Sequence, residues 1–175
     1  MEDFPLLETD RLRLRKLHID DLDNLHANAN NRKIADHIVN IPYPYTHFNA
    51  AMRISTITKG FANKTSYSFA IALKDDNKFI GEIGIHRMNE NNNHAQIAYW
   101  IGEPHWNQGI ASEAIDAILS FGFNDLHVDT IYAEYKMSNV ASQRVLDKNG
   151  FKQHNQIGKS KIAVITKTVY SRIEN

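Results

Sequence analysis

The sequence predicts one α/β domain over residues 1–175, with an antiparallel meander in its sheet and helices covering both faces. Three observations carry this. Within the expected strand 11–17, residues 11–15 alternate polar and apolar, the period of a strand with one face on a core. Three apolar runs between residues 67 and 101 are separated by turn residues, as in an antiparallel meander. Before and after that block, apolar residues recur at helical spacing.

In chain order, 11–17 is the first strand. Asp20 and Asp21 stand where caps stand, ahead of Leu22, Leu25 and Ala29, so a helix is expected to about Asn30. Pro42 and Pro44 break the next stretch, and Ala50, Ala51, Ile54 and Ile57 mark a second helix over about 47–63. Strands at 67–73, 79–85 and 95–101 are joined by Asp75-Asp76-Asn77 and by the turn 90–93. None of the three has a polar face, which requires helices on both sides. After Trp106-Asn-Gln-Gly109, Ala111, Ala114, Ile115, Ile118 and Gly122 share one helical stripe, and 128–135 is a β-branched and aromatic strand. Ser138 or Asn139 caps a further helix with Ala141, Val145 and Leu146 inward, and Gly150 takes the left-handed stop. Residues 151–157 and 162–170 read as a hairpin turned at Gly158-Lys-Ser160.

Twenty Lys+Arg balance 20 Asp+Glu, and this zero formal charge argues against nucleic acid or an acidic membrane as partner. With no Cys, thiolate-held zinc, a cysteine nucleophile and a disulfide scaffold are excluded. The nine His show no metal-ligand spacing, so no metal is expected. The first residues lack a secretory pattern, and no apolar run approaches the roughly 18 residues of a membrane span. The expected location is the cytoplasm. In that setting the Asn63-Lys64-Thr65 triplet is a chance match to a glycosylation site.

The chemistry points to two windows. In the first, 99–114, a strand runs out, Gly109 makes a turn, and a helix opens on the small residues Ala111 and Ser112. Such a turn either is merely structural or presents free backbone N–H groups and the positive end of a helix dipole to phosphate oxygens. No Gly-x-x-x-x-Gly-Lys-Ser/Thr loop exists in the chain. In the second window, 139–151, Asn139 and Ser142 either belong to an ordinary capped helix or supply an amide and a hydroxyl near a leaving group.

Together the windows resemble the GNAT superfamily of N-acetyltransferases, particularly its Rim-type subgroup, which acetylates ribosomal-protein N-termini and small amines. The resemblance runs from Glu8-Thr-Asp-Arg-Leu-Arg-Leu14 through Ile80-Gly-Glu-Ile-Gly84 and Tyr99-Trp-Ile101 to Tyr170-Ser-Arg-Ile173. The family's pyrophosphate motif, Arg/Gln-x-x-Gly-x-Gly/Ala, falls on Trp106, Asn107, Gln108, Gly109, Ile110 and Ala111, with Trp in place of the first Arg or Gln. The resemblance implies a splayed, mixed and mostly antiparallel sheet of about seven strands, with the pantetheine arm of acetyl-CoA in the gap between the strand ending near Ile101 and the one beginning near Val128. It also implies cofactor contacts at Ile101, Trp106 to Ser112, Asn139 and Ser142, and direct attack by an amine, with backbone N–H donors near Ile101 meeting the oxyanion.

The thiol, with an ordinary pKa near 8.5, leaves more easily beside a hydrogen-bond donor. Many family members place a Tyr four residues before the Gly-Phe pair; here that position is Leu146. In the Rim-type pattern a serine takes the role, and Ser142 matches it, the alternative being a helix-capping serine. Residues 151–170 contain no Asp or Glu, so the base is sought among Glu82, Glu103, Glu134 and His154. At pH 7 an α-amine with pKa near 7.7 is roughly 15% neutral and a lysine amine near 10.4 only about one part in 2,500, which favours α-amines. Expected acceptors are a peptide N-terminus, a polyamine or an aminoglycoside-like amine. Tyr43, Tyr45 and His47 fall in the segment that borders the family's acceptor cleft, where they either contact substrate or pack onto the core. The rival reading is a non-catalytic acyl-CoA-binding regulatory module. A sheet edge or the final hairpin would support a homodimer, and a monomer is equally open.

Overall fold

The computed structural model describes residues 4–62, 66–89 and 92–173. Eight strands form one sheet in the order β1-β2-β3-β4-β5-β6-β8-β7. They are β1 (Leu7–Glu8), β2 (Leu12–Arg15), β3 (Ser66–Leu73), β4 (Phe79–Asn89), β5 (Asn92–Ile101), β6 (Thr130–Lys136), β7 (Lys152–Ile157) and β8 (Ser160–Thr166). Every neighbouring pair is antiparallel except β5 with β6. The helices are α1 (Leu22–Ala29), α2 (Arg32–Ala35), α3 (His47–Ala62), α4 (Ile110–Ser120), α5 (Val140–Lys148) and α6 (Lys167–Ile173).

Both faces of the sheet are covered, as the apolar strands require. On one face Leu25, Ala29, Ile34, Ala50, Ile54 and Ile57 of α1, α2 and α3 pack on Ala70, Phe79 and Trp100. On the other, Ile110, Ala114, Ile115 and Ile118 of α4 and Leu146 of α5 pack on Phe69, Ile71, Ile83, Ile97 and Ile131. Along β3 and β5 alternation sends odd and even positions to different cores, whereas the bulge in β4 at Ile80 puts Phe79 and Ile83, both odd, on opposite faces. Phe69, Phe79, Phe123 and Phe151 are fully buried, each contributing about 1.5–3 kcal/mol of apolar transfer.

Several elements depart from the sequence reading. The sheet has eight strands rather than about seven, because the short β1 pairs with β2 through Leu7 and Leu14. Asp21 does not cap α1 through its side chain; it accepts from the His18 N–H at 2.9 Å and forms an ion pair with Arg15 at 2.8 Å. The four-residue α2, capped by the Asn31 side chain on the Lys33 N–H, is too short to show a period. The chain after Thr166 is helix, not strand. Val169 and Tyr170 pack into the α4 side of the core there, with the Tyr170 ring 5.2 Å from Phe123. Gly150 stands at φ +83, where an added Cβ would run into Ile173 of this last helix. The expected turn at 90–93 lies partly outside the described residues, at 90 and 91, and the triplet 63–65 wholly outside.

Candidate active site

The parallel ladder between β5 and β6 is short, from His94–Thr130 to Ile97–Ala133. Beyond it β5 stays with β4 as far as Ile101, and β6 stays with β8 as far as Lys136. Each strand follows its outer neighbour, the sheet twist carries them apart, and a gap opens. The Gly102 N–H donates to the Ile80 carbonyl at 2.8 Å, so the antiparallel alternation makes Ile101–Gly81 a non-hydrogen-bonded pair. The backbone polar groups of Tyr99 and Ile101 therefore turn away from β4 and toward the gap. The Trp106 indole N–H occupies the Ile101 carbonyl at 2.6 Å.

This gap is one end of a cleft of about 600 Å³. At its other end lies the start of α4. Gly109 holds φ +78 and turns the chain into the helix, and the first helical bond runs from the Glu113 N–H to the Gly109 carbonyl at 3.1 Å. The N–H groups of Ile110, Ala111 and Ser112 consequently have no carbonyl in the preceding turn, and the dipole adds partial positive charge. Arg11 of the 9–12 turn braces this loop. It donates to the Gln108 carbonyl at 3.0 Å and to Glu113 at 2.7 Å, while Glu113 also accepts from Thr9 Oγ1 at 2.5 Å. Burial pushes the Glu113 carboxyl up, but the hydrogen bonds from Thr9 and Arg11 outweigh it and hold its pKa below the usual value.

Helix α5 closes the third side. The Asn139 side chain accepts from the Ser142 N–H at 3.1 Å, so Asn139 is the cap and the Ser142 hydroxyl is free of that duty. That hydroxyl lies 2.9 Å from the Tyr99 hydroxyl, and either oxygen can donate. Burial pushes the Tyr99 phenol up to about 12, against a smaller lowering by Ser142, so it stays protonated at neutral pH. At the far end of α5, Asn149 donates to Ser112 Oγ at 2.7 Å and ties the two helices together. Arg144 and Lys148 line the cleft on the same helix, with no ion-pair partner among the described residues. Open helix N–H groups, a turn without Cβ and unpaired cations fit a diphosphate-bearing ligand. The gap-facing strand groups fit an extended amide-bearing arm.

Ile101, Trp106, Asn107, Gly109, Ile110, Ala111, Ser112, Asn139 and Ser142 all line the cleft. Gln108 does not; its side chain turns back to the Pro104 carbonyl at 3.1 Å. The candidate bases are scattered. Glu82 is buried on the α3 face in a bidentate ion pair with Arg53. Glu103 is bound by Lys33 and by Asn31 at 2.6 Å, contacts that hold its carboxyl below the usual range, and it stands outside the cleft lining. His154 lies on the exposed strand β7, against Tyr132, away from the cleft lining. Of the four, only Glu134 lines the cleft. Tyr45 is buried in the α1–α3 core, whereas His47 stacks on His26 with centroids 3.9 Å apart. Sequence reasoning passed over Tyr99 and His37. Tyr99 has a local signal in the strand alternation that aligns it with Ile97 and Ile101, but its partner Ser142 is 43 residues away.

Comparison with known proteins identifies the family. The profile of the acetyltransferase (GNAT) domain family matches residues 11–152. The uncharacterized N-acetyltransferase YoaA of Bacillus subtilis is 33% identical over 150 residues, covering 86% of this chain and 84% of the relative. Among solved structures, a ribosomal L7/L12 alpha-N-protein acetyltransferase in complex with coenzyme A superposes with a TM-score of 0.83 at 15% identity, covering 93% of this chain and 98% of that one. The spermidine N-acetyltransferase of Vibrio cholerae, in complex with CoA and spermine, superposes with a TM-score of 0.78 at 21% identity, covering 93% and 99%. The chain belongs to the GNAT acetyltransferase family and is an acetyl-CoA-dependent N-acetyltransferase.

Proposed function

We propose that this enzyme transfers acetyl directly to the α-amine of a peptide N-terminus or to a small primary amine, in a ternary complex with no covalent enzyme intermediate. The carrying observation is the continuous cleft that joins the α4 helix start, the diverging strands and the Tyr99–Ser142 hydroxyl pair. In this reading the N–H groups of Ile110, Ala111 and Ser112 hold the diphosphate, and the Tyr99 backbone groups hold the pantetheine amides. Bound acetyl-CoA supplies an acyl group on a thiol leaving group. The Ile101 N–H, facing the gap, meets negative charge developing on the carbonyl oxygen. Tyr99 donates to Ser142, which frees the Ser142 hydrogen to meet the departing sulfur. The two CoA-bound neighbours, one named for a protein α-amine and one for spermidine, mark the range of acceptors to try.

The test is acetyl-CoA-dependent thiol release with a free N-terminal serine peptide, the same peptide with an acetylated α-amine and one internal lysine, spermidine and an aminoglycoside. Faster turnover on the free α-amine than on the lysine peptide is expected. Comparable rates on the two peptides would sink the α-amine preference, and acetyl-CoA binding without turnover on any amine would favour a binding module.

A further inference from the structure

We propose that His37 is the proton acceptor for the attacking amine and that Glu134 draws the acceptor ammonium to it, a pairing that rests on the transferase reading above. The cleft opens on both faces of the sheet. Tyr99 and Val145 pack with the α4–α5 core, whereas Ile34 and Trp100 belong to the core of the opposite face, and all four line the cleft. A ligand anchored at the α4 start therefore occupies one face, and the amine has the other face by which to reach the gap.

His37 lines that second opening between Ile34 and Ile38, its backbone held by the His37 N–H to Ile34 carbonyl bond of 2.9 Å. Its Nδ1 is buried with no hydrogen-bond partner. With Nδ1 shut off from solvent, Nε2 is the ring nitrogen left to meet a ligand in the cleft. Glu134 reaches the same opening from β6. Ile131, Ala133 and Tyr135 point into the α4–α5 core, so strand alternation sends Glu134 to the other face, where it is exposed and without a partner among the described residues. The remaining imidazole of the cleft, His105, sits in the field of Lys78 and Asp76 beside the β3–β4 turn. Glu82 and Glu103 are committed to Arg53 and Lys33.

The acceptor arrives as R–NH3⁺ beside Glu134 and gives one proton to the lone pair of His37 Nε2, while Nδ1 keeps its hydrogen. The freed nitrogen pair forms the C–N bond at the thioester carbonyl. The C–S bond breaks with its electron pair on sulfur, the second N–H proton reaches that sulfur through the Ser142 hydroxyl, and His37 returns its proton to water. The products are the acetamide, the CoA thiol and one H⁺.

The experiment compares the wild-type chain with His37→Gln, His37→Ala, Glu134→Gln and, as a control, His105→Gln, using acetyl-CoA and either the N-terminal serine peptide or spermidine. Expected is a loss of about 100-fold in kcat for His37→Gln, the usual scale of general-base removal, with acetyl-CoA affinity held. Added imidazole should restore rate to His37→Ala and leave the wild type unchanged. Glu134→Gln should raise the KM for amine about 10-fold at nearly constant kcat, the signature of lost ground-state attraction. Undiminished kcat in His37→Gln, absence of imidazole rescue, or a larger loss in His105→Gln would overturn the assignment while leaving the transferase reading intact. A wild-type chain that turns over neither of these amines nor an aminoglycoside overturns the proposed transfer and the His37 role together.

Discussion

The turn at Gly109 carries the sharpest test of the phosphate site. At φ +78 an L-residue costs about 1–2 kcal/mol, yet the nearest atom to an added Cβ is Arg11 Nη2 at 3.5 Å, an ordinary contact. Gly109→Ala therefore incurs backbone strain without a clash, and for a domain of this size its melting temperature should fall by about 2–8 °C. Gly109→Val, β-branched in a left-handed position, should force the turn to move and misdirect the N–H groups behind it. Each charge-assisted hydrogen bond to phosphate is worth about 1.5–3 kcal/mol, so losing one weakens CoA binding by about 10- to 100-fold. Calorimetric titration with CoA measures the affinity directly. Melting with and without CoA gives an independent reading, because a ligand that binds only the folded chain raises its stability. A folded Gly109→Val protein that binds CoA as tightly as the wild type would refute the cradle.

Three further outcomes follow from named contacts. Ser142→Ala keeps the N–H that Asn139 caps, so the fold should persist while kcat falls about 10- to 100-fold; Tyr99→Phe should show a smaller fall, and unchanged kcat in both would remove the hydroxyl pair from the chemistry. Arg53→Met strands the buried Glu82 carboxylate and should cost about 3–5 kcal/mol in urea denaturation, much of it recovered by the double variant Arg53→Met/Glu82→Leu; a single variant as stable as wild type would contradict the pair. Glu113 has its pKa lowered below 4.5, so its stabilising contribution is present above that value and is lost as pH falls through the folded pKa. Glu113→Gln should flatten that part of the acid-unfolding profile below pH 4.5, and an identical profile would discount the Thr9–Arg11–Glu113 cluster.

Much of the fold is legible without coordinates because its signals are short-range. The 3.6-residue stripe of Ala111, Ala114, Ile115 and Ile118, the Asn139 cap and the positive-φ glycines 109 and 150 are each set within one or two helical turns. Misreadings arise where local pattern is ambiguous. Residues 162–170 are mostly β-branched or aromatic and so read as strand, yet their second half is helix, with Val169 and Tyr170 packed into the core and the Tyr170 ring on Phe123. Asp21 looks like a cap until Arg15 claims its carboxylate.

Taken by itself, the chain's pattern determined the helix and strand periods, the two covered faces and the glycine turn that opens α4, because these depend on neighbours a few residues away. Tertiary structure alone decided which groups are available for chemistry. Arg53 neutralises Glu82 from 29 residues away, Tyr99 meets Ser142 across 43, and Arg11 braces Glu113 across 102. Whether a carboxylate is free or spoken for, and whether a ring nitrogen such as that of His37 is left without a partner, depends on which distant side chains the packed sheet brings within hydrogen-bond reach.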